Sequence, residues 1–558
     1  MSLKEMFPKE IPSQTRELVT PILPSNSVCR LLGNEGEQLV DEESLSEMYA
    51  TEGRGGINPV ILCFVLILQY LENMPDRQAA LMVLMRMDWK YALRQELTWQ
   101  GFDHSNLCNF RKRLYAHGQE FIVFEQLITY LKQAGYIKSK KQRTDATHVL
   151  GAIERMSRLE LVWETIRLAV GALINVDAKW VLEQVPPSFV SFHTEKRGDY
   201  RLSKAKIEKA MLEAGRDGFW LLSQVTEHGD TTWLTLPELQ MLYRVLQEQF
   251  DPPDDTTHTP AQTKPNTTAC GDVIASPHDP DVRYSQKGKD TQWEGYKLQV
   301  TETVDDDLPL ISDIAIHSAI EQDSPTLDVI QERLTQRGLA PEQHYVDRGY
   351  CNGKTIVSSQ QRGIDLRGYI TASNRKSKGF RLEDFEVDIG QRTATCPQGK
   401  QATLFNPSTQ DDVAFHVRFG KQCQTCPVQQ HCTTEKRGRS LELKPYHTQL
   451  TQRRLEQTTD TFKQEMFARS RIESTICELA RKHGIRQSRY RGQHKANLQA
   501  AFTAVAVNLK RLANYLGQQM DTLSNHLSNY LSSAPVFQQS PACASADEHT
   551  GSSLRNSG

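Results

Sequence analysis

Apolar positions change period several times along this chain, and each change predicts a different kind of element. From 59 to about 136 they recur at helical spacing. Residues 60–68 form the longest apolar run, less than half of the roughly 20 residues that span a bilayer, so a buried helix is predicted there. In RQAALMVLMRMDWKYAL the helical period continues, with Asp76 after Pro75 as a candidate cap. GFDHSNLCNFRKRLYAHG predicts another helix, with Ser105 as N-cap and Arg111, Lys112 and Arg113 on its later turns. Two helices, a turn and a basic second helix suit a helix-turn-helix that reads a DNA groove. A small helical bundle with a solvated basic face fits the same pattern.

KSKKQRTDATHVL then runs from basic residues into a β-like segment containing Asp145. Helical spacing returns from 153 to about 249, followed by a linker rich in Pro, Thr and Asp, DPPDDTTHTPAQTKPNTTACGD. Beyond it WEGYKLQVTETV and LPLISDIAIHSA predict two strands joined by an acidic turn at 305–307. A helix over DSPTLDVIQERLTQRG leads into the strand-like HYVD, ending at Asp347, and GIDLRGYITA is another short strand. After a Cys-rich interruption the pattern is helical again from about 452 to 516, and the Ser-, Asn- and Ala-rich remainder reads as disordered.

At 558 residues the chain is long enough for two to four domains. A hydrophobic content of 38% suits a soluble protein with real cores. The net charge of −2 gives no global sign of nucleic-acid binding, so any DNA contact must come from local basic clusters. MSLKEMFPKEIPSQ lacks the apolar core of a secretory signal, and the eleven cysteines are odd in number and scattered. Both features point to a reducing cytoplasm and away from a membrane or a secreted disulfide scaffold.

Four cysteines cluster: Cys396 in CPQGK, Cys423 and Cys426 in CQTC, and Cys432 in QQHC. Four thiolates suit a closed structural Zn²⁺ site, with His416 and His431 as substitutes if one cysteine is not a ligand. An iron–sulfur cluster and a loop of reduced cysteines are the competing readings.

Asp145 and Asp347 lie within or at the end of β-like segments, and Glu473 lies on a helix with Arg469 one turn before it. Three carboxylates brought together would make a hard oxygen site for Mg²⁺ or Mn²⁺. Arg469 is a candidate DNA contact or orienting residue; its bland reading is an ordinary i, i+4 pair with Glu473, worth about 0.3 kcal/mol. Glu478, five residues on and about 140° further round, is the rival third acid. The segment RKHGIRQSRYR, with Lys495 beyond it, is the densest positive run in the chain. Arg481, Lys482, Arg486, Arg489, Arg491 and Lys495 are candidate phosphate contacts, and Tyr490 a candidate base-stacking residue.

An ordered set of motifs runs through most of the chain. They are GRGGINPVILCFVLILQYLE, DRQAALMVLMRMDWKYAL, GFDHSNLCNFRKRL, QRTDATHVLGAIERMSRLELVWETIR, DPDVRYSQKGK with WEGYKLQVTET, YVDRGY, and GIRQSRYRGQHKANLQ with NLKRL behind it. In this order the sequence resembles the DDE-class transposases of bacterial insertion sequences, in particular the eleven-eighty-two family. The resemblance implies an α/β fold with an RNase H-like core, a mixed sheet flanked by helices. Asp145, Asp347 and Glu473 would be its three catalytic acids, holding two Mg²⁺ or Mn²⁺ ions. Related transposases carry Tyr, Arg, Glu and Lys at fixed spacing about the third acid. Here Arg469 and Glu473 match, Met466 stands at the Tyr position and Ala480 at the Lys position, with Arg481 or Lys482 as stand-ins.

On this basis residues 1–55 form an N-terminal extension and 56–137 a helical, candidate helix-turn-helix domain. The core is split between 138–150 and 270–378, with a helical insertion at 151–250 and a linker at 251–269. A Cys-rich, zinc-ribbon-like insertion spans 379–445, the core's C-terminal helices 446–516, and a disordered tail 517–558. The implied activity is transposition: homodimers or larger assemblies would bind terminal inverted repeats, free a 3′-OH and join it to target DNA. The implied setting is the bacterial cytoplasm, at the nucleoid when bound. A nuclease of the same fold that does not join strands, and a DNA-binding regulator descended from a transposase, are the rival readings.

Overall fold

The computed structural model describes residues 6–533 apart from 51, 54, 196–197, 200–202, 255–256, 261, 266–270, 373–378 and 411–412. Parts of the expected linker and residues 534–558 of the expected tail therefore lie outside the described residues. Ahead of them, the last helix, Gln493–Ser533, runs well past position 517, where the tail was expected to begin.

The fold is mixed α/β, built on a six-stranded sheet. Its strands are β1 (Lys141–Leu150), β2 (Arg283–Lys287), β3 (Thr291–Thr303), β4 (Ile311–Ser318), β5 (Gln343–Val346) and β6 (Asp365–Arg367). β3 pairs antiparallel with β1 on one side; on the other it pairs with β2 near its start and β4 along the rest. β5 joins the free side of β1 in parallel, and β6 follows β5 in parallel. Gly295 lets β3 pass close beneath the end of β1, since a Cβ there would lie 2.0 Å from the Val149 carbonyl oxygen.

The helix Pro59–Leu71 begins with Asn58 capping Val60 N–H and buries every residue from 59 to 70. Its apolar faces pack against the last helix, which in turn lies on β4, so the N-terminal helices and the sheet share one core. Among the described residues no helix is long and apolar enough to cross a membrane. Asp76 opens the next helix, Asp76–Met85, which stops at the extended Arg86. Ser105 is the first residue of the helix Ser105–Ala116, and Asp103 accepts its N–H.

Between β1 and β2 the described residues make four α-helices, Arg158–Gln184, Pro187–Thr194, Lys204–His228 and Pro237–Gln249, around a separate core. Ser157 starts this unit with a capping box to Glu160. After β6 come two small sheets, β7 (Glu386–Asp388) with β8 (Thr393–Thr395), and β9 (Leu404–Pro407), β10 (Phe415–Arg418) and β11 (Ser440–Leu443). Among the described residues their core has six that are buried, including Phe385, Val417 and Leu443.

Candidate active site

Strand register brings the first two acids together. Thr144 on β1 is the parallel partner of Val346 on β5, so the next residues lie side by side, Asp145 within β1 and Asp347 just past the end of β5. Glu473 enters from the helix Ile472–Arg481, and Arg469 from the short helix Phe467–Ser470 just before it. The three acids meet on Arg469. Its Nη2 lies 2.7 Å from Asp145 Oδ2 and 3.9 Å from Asp347 Oδ1, and its Nη1 lies 3.3 Å from Glu473 Oε1. Asp145 is the most enclosed, with its side chain 15% exposed against 51% for Asp347 and 66% for Glu473. Burial lifts the Asp145 carboxyl above its ordinary range against the pull of Arg469, and the charge of Asp347 adds to the rise.

A buried ion network fixes this geometry from below. Arg143, cross-strand partner of Glu302, donates from Nε to Glu302 Oε1 at 2.7 Å and from Nη1 to the Ala468 carbonyl at 2.9 Å. Glu302 Oε2 accepts from Thr475 Oγ1 at 2.6 Å and from Arg511 at 3.0 Å. Arg143 therefore pins the turn that carries Arg469, and Thr475 pins the helix that carries Glu473. Glu478 belongs to this network: Lys510 and Arg511 hold it at 2.6 and 3.1 Å. Burial raises its carboxyl, but the two cations outweigh burial and leave it below the ordinary range. Glu473 lines the cleft and Glu478 does not.

The cleft has a volume of about 970 Å³ and is lined by the three acids together with Lys287, Lys297, Arg481 and Arg486. Lys297 is neutralised by Asp323 at 3.0 Å, and Arg486 donates to Thr147 Oγ1 at 3.2 Å. Among the described residues Lys287 and Arg481 make no close ion pair, although the charge of Lys287 reaches the Asp145 carboxylate. Neither Lys287 nor Arg143 was singled out in the sequence. The signal for Lys287 was the turn QKGKD between two alternating runs; for Arg143 it was a place two residues before Asp145, on the same face of β1.

Several candidate DNA contacts are engaged inside the protein. Arg111 is 3% exposed, ion-paired to Asp76 and stacked 5.2 Å from the Tyr490 ring, so it has no free face for a phosphate. The helical spacing that put it beside Lys112 and Arg113 hid a partner 35 residues earlier. Tyr490 hydrogen-bonds Tyr70 through its hydroxyl at 3.1 Å. Arg489 donates to the Met74 carbonyl and Asn73 and stacks on Tyr70. These three residues dock the basic loop onto the N-terminal helices. Arg113 lies over Tyr49, and Arg491 donates to the Ala152 carbonyl while remaining exposed. Lys112, Lys482 and Lys495 are exposed, and Lys482 does not line the cleft. Met466 is buried against Tyr345 and Phe462, and Ala480 lines the cleft.

Cys396, Cys423, Cys426 and Cys432 line one small cavity in the module of short sheets. Lys400 N–H points at Cys396 Sγ at 3.4 Å, and burial raises the Cys432 thiol. His416 hydrogen-bonds Ser408, and His431 is exposed outside the cavity lining. Among the described residues no three His, Cys, Asp or Glu side chains stand close enough together, as they are, to hold a metal ion. In the acidic cleft a guanidinium bridges them.

Comparison with known families gives two matches. Residues 395–513 match the family model described as a transposase DDE domain, and residues 22–113 match one described as a transposase domain (DUF772). Both support an insertion-sequence transposase of the DDE class. The first match includes the four clustered cysteines, Arg469 and Glu473; the second covers most of the N-terminal helices. No curated protein and no solved structure matched the chain.

Proposed function

We propose that this chain is a DDE transposase of the eleven-eighty-two type, with an RNase H-like core, acting through Asp145, Asp347 and Glu473. The observation that carries the reading is the convergence of these three carboxylates on Arg469, in a chain with two transposase matches. The strand order supports the core assignment, with antiparallel β4, β3 and β1 followed by parallel β5 and β6.

Three carboxylates face one guanidinium, so their negative charge is not balanced by the cation that touches them. Such hard oxygen donors suit Mg²⁺ or Mn²⁺, and Asp145, Asp347 and Glu473 are the residues that would hold two ions. Ions bound there supply activation of an attacking oxygen and neutralisation of a leaving oxygen in an in-line phosphoryl displacement. The protein's part is placement. Lys287, Arg481 and Arg486 line the same cleft and would receive backbone phosphates of the terminal repeats and target DNA. Arg143 and Glu302 hold the acid-bearing elements in register. In the Cys-rich module, a structural Zn²⁺ on the four thiolates, with their side chains turned inward, would stabilise a core of six buried residues.

The test is strand cleavage with Mg²⁺ or Mn²⁺ on labelled duplexes carrying the element's own ends, comparing wild type with Asp347→Asn. Nicks at the repeat boundary by wild type alone, with end binding kept in the variant, are expected. The freed 3′-OH should then join a second duplex. Cutting without joining identifies a nuclease, and end binding without cutting a regulator.

A further inference from the structure

Arg469 is placed unusually for an arginine. Two of its nitrogens are spread over three carboxylates, at 2.7, 3.9 and 3.3 Å. Its Nε is buried without a hydrogen-bond partner among the described residues, and the side chain is 17% exposed. A guanidinium docks best two-pronged on one carboxylate, and a buried donor left empty is unfavourable. This placement instead follows from the acids: three like charges brought together by strand register and a helix repel one another unless a cation sits among them. The turn that carries Arg469 is fixed by Arg143, which delivers the guanidinium to that point.

We infer that Arg469 is a displaceable counter-ion, which holds Asp145, Asp347 and Glu473 together before a divalent ion binds and competes with that ion for the same oxygens. The inference rests on the three-acid centre proposed above. Asp145 shows the competition most clearly: Oδ1 accepts the Ala146 N–H at 2.7 Å and Oδ2 takes Arg469. Because the coupling is reciprocal, a bound ion loosens Arg469 as much as Arg469 weakens the ion. A guanidinium released at the wall of this cleft presents donors matched to a phosphate. Loading the acids and freeing an arginine for the DNA strand are then one event.

The test is Mn²⁺ binding to the full-length protein without DNA, by calorimetry, for wild type, Arg469→Gln, Arg469→Lys and, as a charge control, Arg471→Gln. Arg471 pairs with Asp306 and is not among the residues lining the cleft. Arg469→Gln should bind Mn²⁺ tighter by roughly tenfold or more, as expected on removing a unit charge from beside a cation site. Arg469→Lys should lie closer to wild type, and Arg471→Gln should match it. Unchanged or weaker binding by folded Arg469→Gln overturns the inference while leaving the three-acid centre standing. Absence of Mn²⁺ binding in every protein overturns both. If Arg469→Gln unfolds without metal, its thermal midpoint should rise more with Mn²⁺ than that of wild type; an equal or smaller rise contradicts the inference.

Discussion

The layer beneath the cleft and the cleft itself are built from the same residue types and behave in opposite ways. Beneath, Glu302 and Glu478 are held by Arg143, Arg511, Lys510 and Thr475. Above, Asp145, Asp347 and Glu473 share one arginine, and Lys287 and Arg481 face the same space without a close ion pair among the described residues. The lower layer is a saturated network that positions; the upper is an unsaturated one that can still bind. Two glutamates five residues apart on one helix, Glu473 and Glu478, fall on opposite sides of that line.

This contrast can be broken most severely at Glu302. Its carboxylate is 0% exposed, and Glu302→Gln leaves Arg143 buried without a counter-charge, which should cost about 3–5 kcal/mol in denaturant unfolding. A change within about 0.5 kcal/mol, the usual range for surface substitutions, would remove the network from the account. The Cys-rich module offers a second contrast, since its core is much smaller than those of the sheet and the helical insertion. Purified protein should contain one zinc per chain by elemental analysis, and Cys423→Ser or chelation should make the segment around β9–β11 protease-sensitive. A protease-resistant module without zinc would mean that packing alone holds it.

Smaller effects are expected at the unpaired cations. Lys287→Gln and Arg481→Gln should each lower the dependence of log affinity on log salt by about 0.9 for duplex DNA, the amount lost with one phosphate contact. An unchanged slope would place the strand elsewhere. Smallest of all is the stability change at Glu473: with its side chain 66% exposed, Glu473→Gln should stay within about 0.5 kcal/mol of wild type.

Much of this was legible in the chain. Alternation around Asp145 and Asp347 placed both on or beside strands, and the ordered motifs singled out the three acids that the fold brings around Arg469. Local periodicity could not supply partners distant in sequence. Glu478 is separated from Glu473 by its contacts with Lys510 and Arg511, on another helix more than 30 residues away. Arg111 looked like a groove contact because its helix is basic, yet Asp76 claims it. Lys287 was missed for the opposite reason: a hairpin of ordinary polar residues gains meaning only when β3 carries it to the cleft beside Asp145. The last helix outruns 517 because helix formation there continues through residues too polar to signal a buried face.

The most direct test of the division between the two layers is strand cleavage by Glu473→Gln and Glu478→Gln, each with its unfolding curve. Glu473→Gln should remain as stable as wild type and lose metal-dependent cutting; Glu478→Gln should lose stability first, with cutting retained in whatever fraction stays folded. A folded, inactive Glu478→Gln beside an active Glu473→Gln would contradict the assignment of the third acid and the account built on it.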